Sequence, residues 1–85
     1  MTFNVIWSEQ SKFVLKTLDK SVSTRIIAKV ESIKENPLDY VKRLVGVSIY
    51  SLRVGDYRVI MDIKNKEMVI FVIKVGHRSK VYDNL

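Results

Sequence analysis

The hydrophobic period of this chain changes at Val47, and this change restricts the fold more than any other feature of the sequence. Between residues 8 and 36, apolar side chains recur every three or four residues, which predicts two amphipathic helices. From Val47 onward, apolar residues form strand-like runs separated by short turn signals, and residues 2–7 alternate in the same manner. We therefore predict one domain, residues 1–85, of the α+β class: an N-terminal strand and a helical hairpin packed on a small, mostly antiparallel β-sheet.

The two predicted helices have recognisable ends. Ser8 is a good N-cap for the first helix, and Ser21 or Ser23 for the second. Asn36-Pro37 is expected to stop the second helix, because the residue before a proline disfavours helical geometry. Residues 38–46 then form a connector with room for one helical turn.

The dipeptide Gly55-Asp56 sets the register of the first predicted hairpin. It separates strands at 47–54 and 57–63, and glycine at the first position is typical of a type II′ turn. Such a turn places Arg53 directly opposite Arg58. Two cations in this position repel each other, and an anion between them would relieve the repulsion.

A second turn signal, Asn65-Lys66, leads into the last predicted strand, 68–75. This strand is apolar at nearly every position, so both of its faces are expected to be covered and its position central. A two-residue turn would pair Arg58 with Ile73 and bring the end of the last strand close to the first turn. The residues expected to converge there are Arg53, Arg58, His77 and Arg78, with Tyr82 following on an extended stretch.

The formal net charge of +6 indicates a polyanionic partner: RNA, DNA, anionic lipid or an acidic protein. Residues 37–85 contribute +4, and every arginine except Arg25 lies there. Without cysteine and with a single histidine, we expect neither disulfides nor a metal site. We also expect a cytoplasmic protein, because no signal peptide is visible and the apolar run at 68–73 is too short to cross a bilayer.

An arginine cluster suits RNA cleavage without a metal, since RNA carries its own nucleophile, the 2′-hydroxyl group. The guanidinium fork matches phosphate oxygens and stabilises negative charge that develops on phosphorus. Arginine is a poor proton donor, so Tyr82 or His77 would carry out the proton transfers. Structural roles stay open as well, because Arg53 can pair with Asp56 or Asp62 and Tyr82 can pack at a sheet edge.

Several motifs together resemble the RelE toxins of bacterial and archaeal toxin–antitoxin systems, which belong to the RelE/ParE superfamily. The resemblance extends over essentially the whole chain, and on these motifs we identify it as a RelE-like toxin of archaeal type. The motifs are Asn36-Pro37, Lys42-Arg43-Leu44-Val45-Gly46, Leu52-Arg53-Val54-Gly55-Asp56-Tyr57-Arg58-Val59-Ile60, the strand at 69–75, Gly76-His77-Arg78 and Val81-Tyr82.

The resemblance implies a RelE-like, microbial-RNase-like fold and a defined activity. RelE toxins enter the ribosomal A site and cleave the bound messenger RNA by 2′-hydroxyl attack, without a cofactor. A RelB-type antitoxin wraps them and blocks the active surface, and the free toxin is expected to be a monomer. The implied catalytic residues are Arg58, Arg78 and Tyr82, to which we add His77. The expected contacts to RNA phosphate are Arg53, Lys42, Arg43 and Lys80.

The chain departs from the family pattern on the strand before the hairpin. Two family lysines correspond here to Ile49 and Ser51, so other groups would have to replace them. The candidates are Lys42, Arg43, His77 and Lys80. Two other functions therefore stay open: a ParE-like inhibitor of DNA gyrase, and a degenerate module that only binds the ribosome or an antitoxin. Gly76-His77-Arg78 followed by Val81-Tyr82 favours the RNA-cleaving branch.

Overall fold

Two helices pack on one face of a single β-sheet. A computed structural model describes residues 2–44 and 49–82, so the predicted connector end at Gly46 and strand start at Val47 lie outside the described residues. The elements are β1 (Asn4–Trp7), α1 (Glu9–Thr17), α2 (Lys20–Ser32), a 3-10 helix (Pro37–Asp39), β2 (Lys42–Arg43), β3 (Tyr50–Val54), β4 (Tyr57–Lys64) and β5 (Val69–His77).

The strand pairing confirms the predicted α+β class. Across the sheet the strands lie in the order β1-β5-β4-β3-β2. β1 runs parallel to β5, and the other neighbouring strands are antiparallel. β5 is an interior strand, as its apolar sequence predicts, although β4 occupies the middle of the sheet.

The main core lies between the helices and one face of the sheet. Ile26, Val30 and Ile33 at the α2 side are fully buried against this face. The sheet contributes Leu52, Val54, Val59, Met61, Ile63, Ile70, Val72 and Val75. In the described part of the chain, the opposite face carries no helix, so its polar side chains are accessible to a partner.

The start of α1 is fixed by its own cap and by a contact to β5. Ser8 caps the helix as predicted, because its Oγ accepts a hydrogen bond from the N–H of Ser11 at 3.1 Å. The same hydroxyl donates to the carbonyl oxygen of Ile73 at 2.6 Å. Ile73 has no partner on β4, since the register shifts there. The helix cap therefore stabilises a β-bulge.

The ends of α2 differ from the prediction. Its N-cap is Asp19, not Ser21 or Ser23. Ser23 is buried, and its hydroxyl donates to the carbonyl oxygen of Leu15 on α1. This serine, which the local sequence favours as an N-cap, therefore joins the two helices instead. α2 ends at Ser32, and Pro37 begins the 3-10 helix, the helical turn expected in the connector. No helix within residues 2–44 and 49–82 is long and apolar enough to cross a bilayer.

The turn between β3 and β4 has the predicted geometry. Gly55 has a φ of 59°, whereas Asp56 is not among the described residues with positive φ, which identifies a type II′ turn. Val54 pairs with Tyr57, and Arg53 pairs with Arg58. The predicted register of this hairpin is confirmed.

The register of β5 against β4 differs from the prediction by three residues. Lys64 pairs with Val69, so the second turn takes four residues, 65–68, instead of two. This longer turn shifts β5 by two positions relative to β4. The β-bulge at Ile73 shifts the rest of β5 by one further position. Arg58 consequently lies opposite Gly76, and the predicted pairing with Ile73 is wrong. An odd shift also exchanges the two faces of a strand, which matters for the site.

Two further segments adopt structures that the sequence pattern did not predict. Lys42 and Arg43 form the short strand β2, which pairs with Ser51 and Tyr50 of β3. Residues 78–82 form turns instead of an extended stretch. There the N–H of Val81 donates to the carbonyl oxygen of His77 at 2.9 Å, which folds the chain back towards the sheet.

Candidate functional site

An open groove of about 450 Å³ lies on the helix-free face of the sheet. We call it the arginine groove. Its lining residues are Lys42, Ser51, Arg53, Arg58, Arg78 and Tyr82. All of them except Ser51 are predicted site residues, so the fold brings five predicted residues together.

The period of two along a strand explains why these side chains share a face. Leu52 and Val54 point into the core. Ser51 and Arg53 alternate with them along β3 and therefore point to the opposite side of the sheet. Arg58 reaches the same side from β4, because it is the cross-strand partner of Arg53. Like charges at directly opposite positions destabilise a sheet by up to about 1 kcal/mol, and a bound anion would offset this cost.

The guanidinium group of Arg58 is held in place by the hairpin turn. Its Nη1 donates to the carbonyl oxygens of Gly55 at 3.0 Å and of Tyr57 at 2.9 Å. Nη1 carries two of the five N–H donors of an arginine, so the donors on Nη2 and Nε remain for a ligand. Because the group is already oriented, less conformational entropy is lost when it binds a phosphate.

The C-terminal turn packs on the same face of the sheet. The N–H of Arg78 donates to the carbonyl oxygen of Asp56 at 2.8 Å, which ties this turn to the β3–β4 turn. A Cβ on Gly76 would lie 3.2 Å from Cγ2 of Val81, so the absence of a side chain lets the turn approach β5 closely. Val81, at 1% exposed, and Ile60, at 0%, are both buried although neither belongs to the main core.

Tyr82 is positioned by Ser51. The two hydroxyl groups are 3.0 Å apart and form a hydrogen bond in which either can be the donor. Ser51 is buried, whereas Tyr82 is 43% exposed, so the phenol ring is fixed at its tip and open to the groove along its side. The arrangement presents a hydroxyl group and an aromatic face beside the arginines.

Among the residues that the structure describes, the lining of the groove is positively charged. Four cations line it and no carboxylate of the described chain does. Asp62, one of the two acids that could have neutralised Arg53, pairs with Lys64 at 3.3 Å instead. Within residues 2–44 and 49–82, neither Asp56 nor Arg53 takes part in an ion pair. The alternative in which Arg53 pairs with Asp56 or Asp62 is therefore not adopted.

His77 lies at the predicted end of the sheet but on its other face. It pairs with Tyr57, and the two rings contact edge to face with centroids 5.6 Å apart. Tyr57 packs against the core on the helix side. Nδ1 of His77 also accepts a hydrogen bond from the N–H of Ser79 at 3.2 Å. His77 thus reaches the predicted end of the sheet but does not share a face with Arg53 and Arg58, because the three-residue shift of β5 exchanged its faces.

Three other residues singled out in the sequence also lie outside the arginine groove. Arg43 pairs with Tyr50, next to Lys42 but on the other side of β2. Lys80 is exposed in the C-terminal turn, where its N–H donates to the carbonyl oxygen of His77. The carbonyl oxygen of Ile49 accepts a hydrogen bond from the N–H of Leu44, and its side chain does not line the groove.

Ser51 is the site residue that sequence reasoning missed. The sequence marks it only as a position where the family resemblance predicts a lysine. Its role as the partner of Tyr82 depends on a contact with a residue 31 positions further along the chain. A signal was present, since a serine two residues before Arg53 on the same strand must share its face. The pattern does not reveal which side chain folds over it.

The fold is shared with toxins of toxin–antitoxin systems. It resembles the toxin–antitoxin complex RelBE2 from Mycobacterium tuberculosis with a TM-score of 0.84 and 20% identity, over 92% of this chain and 100% of that chain. It resembles the archaeal RelE–RelB complex from Pyrococcus horikoshii OT3 with a TM-score of 0.80 and 28% identity, over 95% of this chain and 100% of that chain. It also resembles a YoeB/ParE toxin from Agrobacterium tumefaciens with a TM-score of 0.75 and 15% identity, over 88% of this chain and 98% of that chain.

The sequence also matches a family model, that of the ParE toxin of type II toxin–antitoxin systems, over residues 5–82. The chain therefore belongs to this family, within the RelE/ParE superfamily, and is a toxin of a type II toxin–antitoxin system. A sequence comparison with curated proteins gives no significant match.

Proposed function

We propose that this toxin is a ribosome-dependent endonuclease that cleaves messenger RNA in the A site and thereby inhibits translation. The observation that carries the proposal is the arginine groove: four cations, with no carboxylate among the described lining residues, surround a tyrosine whose hydroxyl is fixed by Ser51. A phosphodiester matches this site in charge and shape. The likeness to RelE structures supports the same reading.

In the proposed reaction, the 2′-hydroxyl oxygen of the RNA attacks the adjacent phosphorus atom and loses its proton. The bond from phosphorus to the 5′-oxygen breaks, and this oxygen takes up a proton. The products are a 2′,3′-cyclic phosphate and a 5′-hydroxyl end. Arg58 and Arg78 stabilise the charge that develops on the phosphate oxygens, while Arg53 and Lys42 hold neighbouring phosphates.

Tyr82 has two possible roles in this reaction, and the groove accommodates both. Its hydroxyl can transfer a proton, with Ser51 fixing its direction. Its exposed ring can stack on a base and hold the message in line for attack. His77, Arg43 and Lys80 lie outside the groove, and the proposed reaction does not use them.

A RelB-type antitoxin is the proposed partner of this toxin. The relatives from Mycobacterium tuberculosis and Pyrococcus horikoshii are complexes of RelE with RelB. A basic toxin with an exposed cationic groove would need an acidic chain to cover it. We expect the free toxin to act as a monomer in the cytoplasm, where translating ribosomes are found, and a short acidic product of a neighbouring reading frame to co-purify with it.

The proposal is tested by adding the toxin to a translating extract and mapping the ends of the message. We expect cuts in phase with codons at the A site, and a rate about a hundredfold lower for Arg78→Ala. Lys66→Ala, which removes an exposed cation outside the groove, should cleave like the wild type. Intact message with the wild-type toxin, or full activity of Arg78→Ala, would contradict the proposal.

A ParE-like inhibitor of DNA gyrase is the second candidate, because the matching family model is that of ParE toxins. The two functions predict different readouts from one preparation. Loss of supercoiling by gyrase with an intact message would establish the second candidate. An intact message with unaffected gyrase, but with the toxin bound to ribosomes, would indicate a module that only binds.

A further inference from the structure

A second cationic groove lies on the other side of the β3 edge. It has a volume of about 640 Å³, and α2 and the end of β3 form its walls. We call it the α2 groove. Its lining residues are Arg25, Ala28, Lys29, Ser32, Arg53, Val54 and Gly55. Positions 25, 28, 29 and 32 follow the helical period of three or four residues, which places the α2 residues on one flank of the helix. The buried flank carries Ile26 and Val30 instead.

The short length of β2 leaves this space open. β2 pairs only with Tyr50 and Ser51, so in the described part of the chain the rest of β3 has no strand beside it on its outer edge. Arg25 projects from α2 across the gap, and its Nη1 lies 3.1 Å from the position of a Cβ on Gly55. A guanidinium group can approach the hairpin turn this closely because residue 55 is a glycine.

The cations of the α2 groove are not neutralised. Within residues 2–44 and 49–82, the ion pairs join Lys12 to Glu9, Lys34 to Glu31 and Lys64 to Asp62, and none includes Arg25, Lys29 or Arg53. Asp56 lines a smaller adjoining cavity together with Arg25 but, within the described chain, forms no ion pair with it. Three cations thus face solvent along one concave surface.

Arg53 lines both grooves, so the cationic surface is continuous from Lys29 to the site of the proposed cleavage. An aromatic group stands at its far end: Tyr40 is 55% exposed, and Nζ of Lys29 lies 6.0 Å from the centre of its ring. A track of cations beside an exposed aromatic ring is the arrangement that binds a single-stranded nucleic acid, with phosphates on the cations and a base on the ring.

The chemistry of the α2 groove favours RNA over an acidic protein chain. Protein partners are usually anchored by apolar side chains in a hydrophobic patch. None of the large exposed apolar residues lines this groove; those described are Ile6, Phe13, Ile27, Leu38, Tyr40 and Tyr82. Ile27 lies on α2 itself, but two positions from Arg25 and therefore on the opposite flank of the helix.

We propose that the α2 groove is a second RNA-binding site, in which Arg25 and Lys29 bind backbone phosphates outside the nucleotides that are cleaved. This inference rests on the proposed function, because it extends the path of the RNA away from the arginine groove. The phosphates belong either to the message or to ribosomal RNA, and both sources present the same chemistry to these cations.

The test uses the full-length toxin and the double variant Arg25→Gln/Lys29→Gln. The matched control is Lys16→Gln/Lys66→Gln, which removes the same charge from exposed positions outside both grooves. The first probe is a fluorescent oligoribonucleotide with a 2′-deoxy sugar at each cleavage position, which prevents cleavage. We measure its binding by fluorescence anisotropy over a range of salt concentrations. Ribosomes programmed with an empty A site serve as the second probe.

We expect the groove variant to bind about tenfold more weakly than the control at low salt. Two lost phosphate contacts should also reduce the slope of log K against log salt by about 1.4, at roughly 0.7 per contact with a single strand. A loss on the oligonucleotide assigns the phosphates to the message, and a loss on ribosomes alone assigns them to ribosomal RNA. Either result supports the inference.

Equal binding by the groove variant and the control, on both probes, overturns the inference. If that equality is accompanied by weaker binding of the antitoxin, the groove is a protein-binding surface instead. The outcome is separable from that of the proposed function, because binding is measured without cleavage. A toxin that binds RNA through Arg25 and Lys29 but leaves message intact would contradict only the endonuclease.

Discussion

At the residue scale, Ser51 stands where the resemblance to RelE toxins predicts a lysine, and it changes how the site is built. A lysine would add a mobile cation to the groove. Serine instead adds a short hydroxyl that reaches Tyr82 at 3.0 Å and fixes the tip of its ring. The hydrogen bond thereby gives a defined orientation to Tyr82, the one aromatic residue among the described lining of the groove.

We predict that Ser51→Ala lowers the rate of message cleavage by up to about tenfold, because a neutral hydrogen bond contributes about 1 kcal/mol. Tyr82→Phe removes the same bond from the other side. The double variant should therefore be no slower than the slower single variant, a coupling that a double-mutant cycle measures.

Ser79→Ala is the control for this cycle, since it removes a serine hydroxyl that bonds His77 on the other face. It should cleave at the wild-type rate. Strictly additive effects of Ser51→Ala and Tyr82→Phe would show that the hydrogen bond does not contribute to the reaction.

At the element scale, Gly55 and Gly76 are each required for a different physical reason. Replacing each of them by alanine is therefore predicted to have a different effect. Gly55→Ala forces a Cβ onto a residue with a φ of 59°, so the free energy of unfolding should fall by about 1–2 kcal/mol. Gly76 has no such φ, but a Cβ there would lie 3.2 Å from Cγ2 and 3.4 Å from Cα of Val81. Gly76→Ala should push the C-terminal turn, with Tyr82, off the sheet.

Urea unfolding and message cleavage by the two variants distinguish these effects. Gly55→Ala should lower the urea midpoint of unfolding more than Gly76→Ala does, and the folded fraction of Gly55→Ala should still cleave the message. Gly76→Ala should lose message cleavage with a smaller change in the urea midpoint. Wild-type cleavage by Gly76→Ala would mean that the close packing of Val81 does not position Tyr82.

At the scale of the whole molecule, six of the 15 lysines and arginines line the two grooves, and Arg53 lines both. The arginine groove has four cations, and at roughly 0.7 per phosphate contact it gives a slope of log K against log salt of about −2.8. Binding of a short, non-cleavable RNA by the wild-type toxin is predicted to have at least this slope. A slope close to zero would show that the surface is solvated and does not bind phosphate.

The sequence determined the parts of the structure that depend on neighbouring residues. The spacing of apolar side chains gave both helices and the strands that follow them. Ser8 was predicted as a cap and is one. Gly55-Asp56 placed Arg53 opposite Arg58, because a two-residue turn allows one register. These features need only a few consecutive residues, so a local pattern is sufficient to predict them.

Only the tertiary structure decided which side chains surround the arginines of the arginine groove. The register of β5 depends on a four-residue turn and on a bulge that Ser8 stabilises from a distant part of the chain. Because strand faces alternate with every residue, that shift of three placed Gly76 opposite Arg58 and sent His77 to the other face. The close approach of Val81 to Gly76 then brought Tyr82 to Ser51. These outcomes depend on contacts between residues far apart in the sequence, which no local pattern contains.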